Sequence, residues 1–490
     1  MDLHPVAARG LAAADDPSRS GGPALRPARL SDRGARGAAR ACDVQQLRLR
    51  GHQHLAHLQA LGERVSPRCD VAIIGAGPAG SVAAGFLVRA GFRVEVFEKE
   101  TFPRFHIGES LIPRAVPVLL ELGLDLEGLP FALKKEGALF ASEVTQREFR
   151  FDFSHALPNC FPHAYQVERA LFDQALAEHS ARLGATFHFG HSVSRWEERA
   201  DRVTVFGNWG QTECRYLVDA SGQQTLMSKA QGSKELIRGL GRSGTFTHFR
   251  NVASPAARQI FRRGDIIIFL TKNQSWGWAI PLTGDRLSLG IVTKDGEAVV
   301  PAEDAIRGYL RASPLLQSIL VGATQSAPLR RIANYGHYNR APNTSRVTSL
   351  GDARGFLDPI FSSGITLAVF TAQALARRIA PTVTDDRPFD LESYHAEMQR
   401  GYQTFERIID RFYRPGWAHH TFFMEDKPDD MVRQMTTILA GDVWRHDNPF
   451  QNKLLANRHT SVWFEDAPEA EAEFSEANTR TALSGNGAAF

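Results

Sequence analysis

The apolar positions of the chain change their spacing several times, and each change predicts an element. Val71 to Ile74 is an unbroken apolar run with the character of a buried strand. A glycine-rich turn follows from Gly75 to Gly80, and Ser81 to Ala90 then has helical composition, stopped by Gly91. Val94 to Glu98 reads as a second strand, so the segment predicts a βαβ unit. Farther on, the β-rich stretches Val203 to Phe206 and Asp265 to Phe269 predict a second, antiparallel sheet region. Beyond about Asp385 the pattern turns helical and aromatic, from Tyr394 through Trp444. The most apolar stretch, Phe356 to Ala376, is broken by Asp358-Pro359 and Ser362-Ser363-Gly364. Its uninterrupted part, Ile365 to Ala376, falls short of the roughly 20 residues a bilayer requires and predicts a buried helix, so no membrane span is expected.

The two ends differ from the body. Residues 1–66 are rich in Ala, Gly, Pro and Arg and contain no aromatic residue, with one short helical stretch at Leu47 to Leu61. Residues 466–490 are small, acidic and polar. Both predict disordered extensions around a folded body of about 67 to 465. The 57 Lys and Arg against 54 Asp and Glu leave a formal charge of +3, too small to argue for a nucleic-acid partner. Cys42, Cys69, Cys160 and Cys214 are too dispersed for a disulfide framework or a zinc site, so no metal is expected. The start of the chain shows no apolar signal segment, which makes the cytoplasm the expected location.

The chemistry begins with Gly75-Ala76-Gly77-Pro78-Ala79-Gly80. Gly75 permits a tight turn, Gly77 lets the backbone approach a pyrophosphate, and Gly80 allows close helix–strand packing. The helix N-terminus then offers N–H groups to phosphate. Glu98 ends the next strand 18 residues past Gly80, where an acid takes a ribose hydroxyl. Strand, turn, helix, strand and acid together predict a dinucleotide site. Two later pieces narrow the ligand. Tyr216 to Gly222 is a β-run ending in Asp219-Ala220-Ser221-Gly222, and Val347 to Ala353 ends in Gly351-Asp352. Asp352 can accept from a flavin's ribityl chain, and Gly364 opens a helix that can point at the flavin ring. Three dispersed motifs in this order resemble the flavoprotein monooxygenases of the p-hydroxybenzoate hydroxylase superfamily, which implies FAD.

Further motifs resemble the flavin-dependent halogenases. They are Phe102-Pro103-Arg104-Phe105-His106-Ile107-Gly108-Glu109-Ser110-Leu111, Tyr165-Gln166-Val167-Glu168-Arg169, Trp276-Gly277-Trp278-Ala279-Ile280-Pro281 and Phe356 through Gly364. The resemblance implies an α/β fold: a Rossmann-type FAD-binding domain and a mixed, antiparallel-sheet substrate domain interleaved over 67–385, then a C-terminal helical segment over 386–465. It adds Arg104 and Arg169 to the FAD contacts. It also implies that FADH2 and oxygen give a flavin hydroperoxide, which oxidises chloride or bromide to hypohalous acid. Ser363 and Gly364, at a helix N-terminus, would hold the halide. Trp276 and Trp278 would keep an organic substrate away from the flavin. A lysine between the flavin and substrate sites delivers the halogen in this family, and the Lys-x-Gly-Ala pattern places it at Lys135, with Lys134 next in line.

One position departs from the tryptophan halogenases, which carry a glutamate where this chain has Phe361. The resemblance therefore leans to the phenol, pyrrole and carrier-bound branch. It implies an electron-rich aromatic or enolisable substrate, either a small free molecule or one tethered to an acyl carrier. No general base is assigned. No second nucleotide fingerprint is seen, so a separate flavin reductase is the expected source of FADH2. Three other readings compete: an FAD-dependent aromatic hydroxylase or epoxidase, a prenyl-chain reductase of the same superfamily, and a catalytically idle flavin-binding partner. The aromatics Trp417, Phe422, Phe423 and Trp444 read mostly as the core of a helical cap.

Overall fold

The computed structural model describes residues 69–237, 242–271, 275–294, 302–385, 387 and 389–456. The stretches 1–66 and 466–490, and the helix expected at Leu47 to Leu61, lie outside the described residues.

The strand Cys69–Ile74 lies between Val94–Glu98 and Gly210–Asp219, parallel to both, with Thr186–Phe189 beyond Val94–Glu98. Its side chains alternate between two cores. Val71 and Ile73 face one, while Cys69, Ala72 and Ile74 face the other. That is why the run is continuously apolar: a parallel strand is covered on both faces. The crossover helix Pro78–Arg89 starts three residues before the expected Ser81, because Pro78 suits a first helical position and Gly77 is extended. It packs on the helices Arg169–Arg182 and Ser363–Arg378.

The strand Val203–Gly207 belongs to this sheet, not to a second one. Gly210–Asp219 is ten residues long. Its first half forms a hairpin with Val203–Gly207 across Asn208-Trp209, and its second half runs parallel to Cys69–Ile74. Periodicity reported a strand correctly but carried no information about which sheet receives it.

The second sheet runs in the order Thr324–Gln325, Arg242–Arg250, Arg286–Lys294, Trp276–Leu282, Ile266–Leu270, Gly137–Ser142, Glu148–Asp152. It is antiparallel except where Ile266–Leu270 meets Gly137–Ser142, so it is mixed. Ile266, Ile268, Trp276, Trp278 and Ile280 face the main core, while Ile267, Phe269 and Ala279 face the helices Ala302–Ala312 and Pro314–Ile319. A ribbon of Ala132–Lys135 and Ala164–Val167 packs against the tryptophan strand.

The long helix Leu391–Phe412 buries Tyr394, Met398, Tyr402, Phe405, Ile408, Ile409 and Phe412, one stripe at helical spacing. It packs on Ser363–Arg378 and Pro449–Ala456. Among the described residues, no helix is long and apolar enough to cross a membrane, and no cluster of His, Cys, Asp and Glu could hold a metal ion.

Candidate active site

The three glycines of the phosphate loop answer to different neighbours. Gly75 has φ +95°, and a Cβ there would stand 2.5 Å from the Ala220 carbonyl oxygen. A Cβ on Gly80 would lie 1.9 Å from the Gly75 oxygen. Both are demanded by the protein's own backbone. A Cβ on Gly77 would meet only the Arg104 Nη2, at 3.6 Å, so its smallness serves whatever enters the cleft. The helix behind the loop has no side-chain cap and no acid in its first turn, which suits a phosphate. Gly75, Gly77, Glu98, Arg104, His106 and Ser221 line an open cleft. Glu98 closes one side: its Oε2 accepts from the Ala76 N–H at 2.8 Å and its Oε1 from Glu100 N–H at 3.0 Å. These features fit a dinucleotide such as FAD. Ala79 faces inward, with its Cβ 3.1 Å from where a Cβ on Gly351 would stand.

Arg104 and Arg169 converge on one buried carboxylate. Asp173 accepts from Arg104 at 3.0 Å and from Arg169 at 2.8 and 2.9 Å. Burial alone would raise the Asp173 pKa, but the guanidinium of Arg169, then that of Arg104, holds it below the usual value. Arg169 also donates to the carbonyls of Ile107 and Gly108, at 2.8 and 3.2 Å. It thus braces the His106–Gly108 turn. Burial, followed by the Arg169 charge, pushes His106 down to about 4, leaving a neutral ring at pH 7.

Asp352 lies at the other end of the expected flavin path. Its Oδ2 accepts from Gln223 at 3.0 Å, and its Oδ1 is 3.9 Å from where a Cβ on Gly364 would stand. Ser362 takes the left-handed conformation, φ +54°, and starts the helix Ser363–Arg378 without a side-chain cap or an acid in the first turn. Ser363 is buried, and a Cβ on Gly364 would meet the Phe356 ring at 3.2 Å.

The structure separates the two lysines. They end a strand, so their side chains point to opposite faces: Lys134 is exposed and Lys135 is 1% exposed. Lys135 Nζ donates to Ser110 Oγ at 2.8 Å and to the Leu111 carbonyl at 2.9 Å, with the Phe153 ring 5.3 Å away. Burial drags its pKa down to about 7, weakly opposed by Asp265. Its hydrogen bonds therefore go to the Gly108–Leu111 segment and not to the tryptophan pair.

Trp276 and Trp278 project from one face of their strand with ring centroids 5.9 Å apart. Trp276 Nε1 donates to the Tyr413 hydroxyl at 2.8 Å, and Trp278 Nε1 to Ser288 Oγ at 3.3 Å. Tyr413, Asp358 and Ser110 carried no role in the sequence reading. Ser110 and Asp358 left a trace there, each as a polar residue inside a recognised motif, while Tyr413 left none. Of the C-terminal aromatics, Phe422 stacks on Phe140 at 4.2 Å and Trp444 on Phe370 at 3.7 Å.

The FAD binding domain family matches residues 68–407. A 1H-pyrrole-2-carbonyl-[peptidyl-carrier protein] chlorinase of Pseudomonas fluorescens is 29% identical over 406 residues, covering 76% of this chain and 89% of that protein. The flavin-dependent halogenase armH1 of Armillaria mellea is 30% identical over 355 residues, covering 66% and 67%. Among solved structures, the flavin-dependent brominase Bmp2 matches with a TM-score of 0.70 and 25% identity, over 79% of this chain and 97% of that one. The chain belongs to the FAD-binding-domain family and, within it, to the flavin-dependent halogenases.

Proposed function

We propose that this halogenase acts on an electron-rich aromatic or enolisable group carried as a carrier-protein thioester, with Lys135 activating the hypohalous acid by proton transfer. The observation that carries the role of Lys135 is a wholly buried amine with a pKa of about 7, fixed by Ser110 and Leu111. The similarity to the pyrrolyl-carrier chlorinase supports the substrate class, as does Phe361 in place of a glutamate.

FAD would be held by Gly75, Gly77, Gly80, Glu98 and Asp352, with Ala79 packing behind the loop and Arg104 beside it. Arg169 would act behind Arg104, bracing the turn. When bound and reduced, FAD supplies the activated oxygen that turns halide into hypohalous acid. The backbone N–H groups of Ser363 and Gly364 would hold the chloride or bromide. Trp276 and Trp278 would wall off the organic substrate. Lys135 spends two N–H bonds on Ser110 and Leu111, which leaves one position of its nitrogen for the oxidant. As the substrate carbon takes the halogen, the O–halogen bond breaks and the ammonium gives its proton to the departing hydroxide, forming water. The amine then accepts the proton released from that carbon. A pKa near 7 suits both directions of transfer.

A separate flavin reductase supplying FADH2 and a cytoplasmic location complete this reading. So does a division into interleaved FAD-binding and substrate domains over 67–385 and a helical segment over 386–465. The test is mass spectrometry of pyrrole-2-carbonyl-loaded carrier protein and of free pyrrole-2-carboxylate, each incubated with the protein, FADH2, oxygen and bromide. The bromine isotope pattern is expected on the carrier-bound product. Bromination of the free acid alone would overturn the carrier assignment, and an oxygenated product without bromine would overturn the reaction.

A further inference from the structure

One buried polar cluster has no part in the mechanism above, yet it ties that mechanism's pieces together. Asp358 is 0% exposed. Its Oδ1 accepts from the Ile360 N–H at 3.0 Å, fixing the turn that leads into Ser362 and Ser363. Its Oδ2 accepts from the hydroxyls of Tyr413 at 2.9 Å and Tyr335 at 3.3 Å. The Tyr413 oxygen in turn accepts the Trp276 indole N–H at 2.8 Å. An indole has one donor, so this bond fixes which way the ring faces. Arg242, 2% exposed, lies 4.0 Å over the Tyr413 ring, with its Nε and Nη1 unpartnered. The halide turn, the tryptophan strand and the end of the long C-terminal helix thus meet at one carboxylate.

We propose that Asp358, acting through Tyr413, is a positioning residue that holds the Trp276 indole and the halide turn in one arrangement, and so sets how much hypohalous acid reaches substrate and how much escapes. The inference rests on the halogenase reading above. Three donors converge on Asp358 and it is required to donate to none, so the ionised form fits the cluster. Protonation exchanges an acceptor for a donor, and one hydroxyl must turn away. Burial raises the Asp358 pKa to about 6 against the Ile360 N–H and against Tyr413, Arg242 and Tyr335, and those three side chains are the charged and titratable groups that face it. The cluster is intact above that pH and loosens as pH falls through it.

The measurement is the ratio of halogenated substrate to hypohalous acid caught by a trap in solution, alongside FAD affinity and melting temperature. Tyr413→Phe removes the hydroxyl that joins Trp276 to Asp358 but keeps the ring under Arg242. It is expected to lower the ratio about tenfold, the effect of one buried hydrogen bond to a charged group, with FAD affinity unchanged. Tyr335→Phe leaves the Trp276 link and should lower the ratio less than about threefold. In the wild type the ratio should fall as pH drops through about 6. In Asp358→Asn it should be low and flat across the same range. Wild-type ratios in both tyrosine variants overturn the proposal, as do equal losses that track melting temperature. An Asp358→Asn protein that keeps the inflection overturns it independently of how either tyrosine variant folds. Absence of any halogenation by the wild-type protein removes the underlying reading and this inference with it. Halogenation with an unmoved ratio overturns this inference alone.

Discussion

The phosphate loop and the buried cluster around Asp358 are both built to atomic tolerance, but by different means. In the loop, the constraint is on the backbone. Gly75 and Gly80 stand where a single added carbon would strike a carbonyl oxygen, at 2.5 and 1.9 Å. Such a constraint has one solution in the amino-acid alphabet, and it is spelled in six consecutive residues. In the cluster, the constraint is on hydrogen-bond partners. Trp276, Asp358 and Tyr413 come from three elements separated by 55 or more positions. Trp276 and Asp358 stand in motifs that say nothing of each other, Tyr413 stands in none, and their link appears only when the fold brings them together.

The largest test of this contrast lies within the loop. Gly80→Ala forces a Cβ against the Gly75 oxygen, and a backbone atom cannot swing aside. The expected outcome is loss of FAD binding together with a destabilisation of about 3 kcal/mol, in the range of severe overpacking. Gly77→Ala meets nothing closer than the Arg104 side chain at 3.6 Å. It should melt near the wild-type temperature while binding FAD about tenfold more weakly, because only the ligand's approach is obstructed. Equal melting temperatures for the two variants would show that the loop does not divide its glycines between fold and ligand.

Lys135 gives the next largest effect, on activity and not on folding. Lys135→Met is expected to cut halogenation by about 10³-fold, the middle of the range for a proton-transferring side chain, with FAD-dependent oxygen consumption retained. Lys134→Met should halogenate like the wild type, since that side chain faces solvent. Were Lys134→Met the inactive variant, Lys134 would be the proton-transferring lysine and the burial of Lys135 would have misled. The sequence pattern pointed to this pair through Gly137-Ala138 and preferred Lys135, and burial now separates the two. What the sequence could not show was Ser110, whose hydroxyl receives the amine from 25 positions away.

The same contrast marks what was legible in the whole chain. The βαβ unit could be read because a strand buried on both faces is continuously apolar and its turn is glycine-rich. The strand Val203–Gly207 could be read as a strand, but its sheet could not, since alternation reports faces and not partners. Arg104 and Arg169 were expected as FAD contacts. The structure shows them gathered on Asp173, an acid hidden inside a helix with nothing in its surroundings to announce it.

Stability offers a smaller effect with a defined pH dependence. The folded Lys135 pKa of about 7 lies well below the value of about 10.4 for a free lysine. Between these values the unfolded chain binds the proton that the folded chain has lost, so raising pH through that window stabilises the fold. Below about pH 7 both states are protonated and the full cost of the buried charge remains. Lys135→Met removes that cost but leaves Ser110 Oγ and the Leu111 carbonyl without their donor. At pH 7 the variant should be more stable than the wild type by up to roughly 3 kcal/mol, with the gap closing toward pH 10. Chemical denaturation at pH 7 and pH 9.5 measures it. A variant less stable than the wild type at pH 7 would mean that the amine is not paying the desolvation cost its burial implies.

The smallest expected effect separates the two tryptophans. They share a strand, a face and a ring contact, so removal of either indole alters the same wall. They differ in what their N–H groups hold. Trp276 reaches Tyr413 at 2.8 Å and through it Asp358, whereas Trp278 reaches Ser288 Oγ at 3.3 Å within the same sheet. Phenylalanine keeps an aromatic ring and loses the donor. Trp278→Phe should therefore cost about 1 kcal/mol or less in unfolding free energy, chiefly from lost ring volume, and leave the ratio of substrate halogenation to escaped hypohalous acid within about twofold. Trp276→Phe loses similar volume, but it also leaves the Tyr413 oxygen without its donor and the indole's place unpinned. Its ratio should fall further than that of Trp278→Phe even where the two proteins melt alike. If Trp278→Phe lowered the ratio as much as Trp276→Phe, the ring volume of the wall would be the controlling quantity. The hydrogen bond that singles out Trp276 would then have no bearing on where the halogen goes.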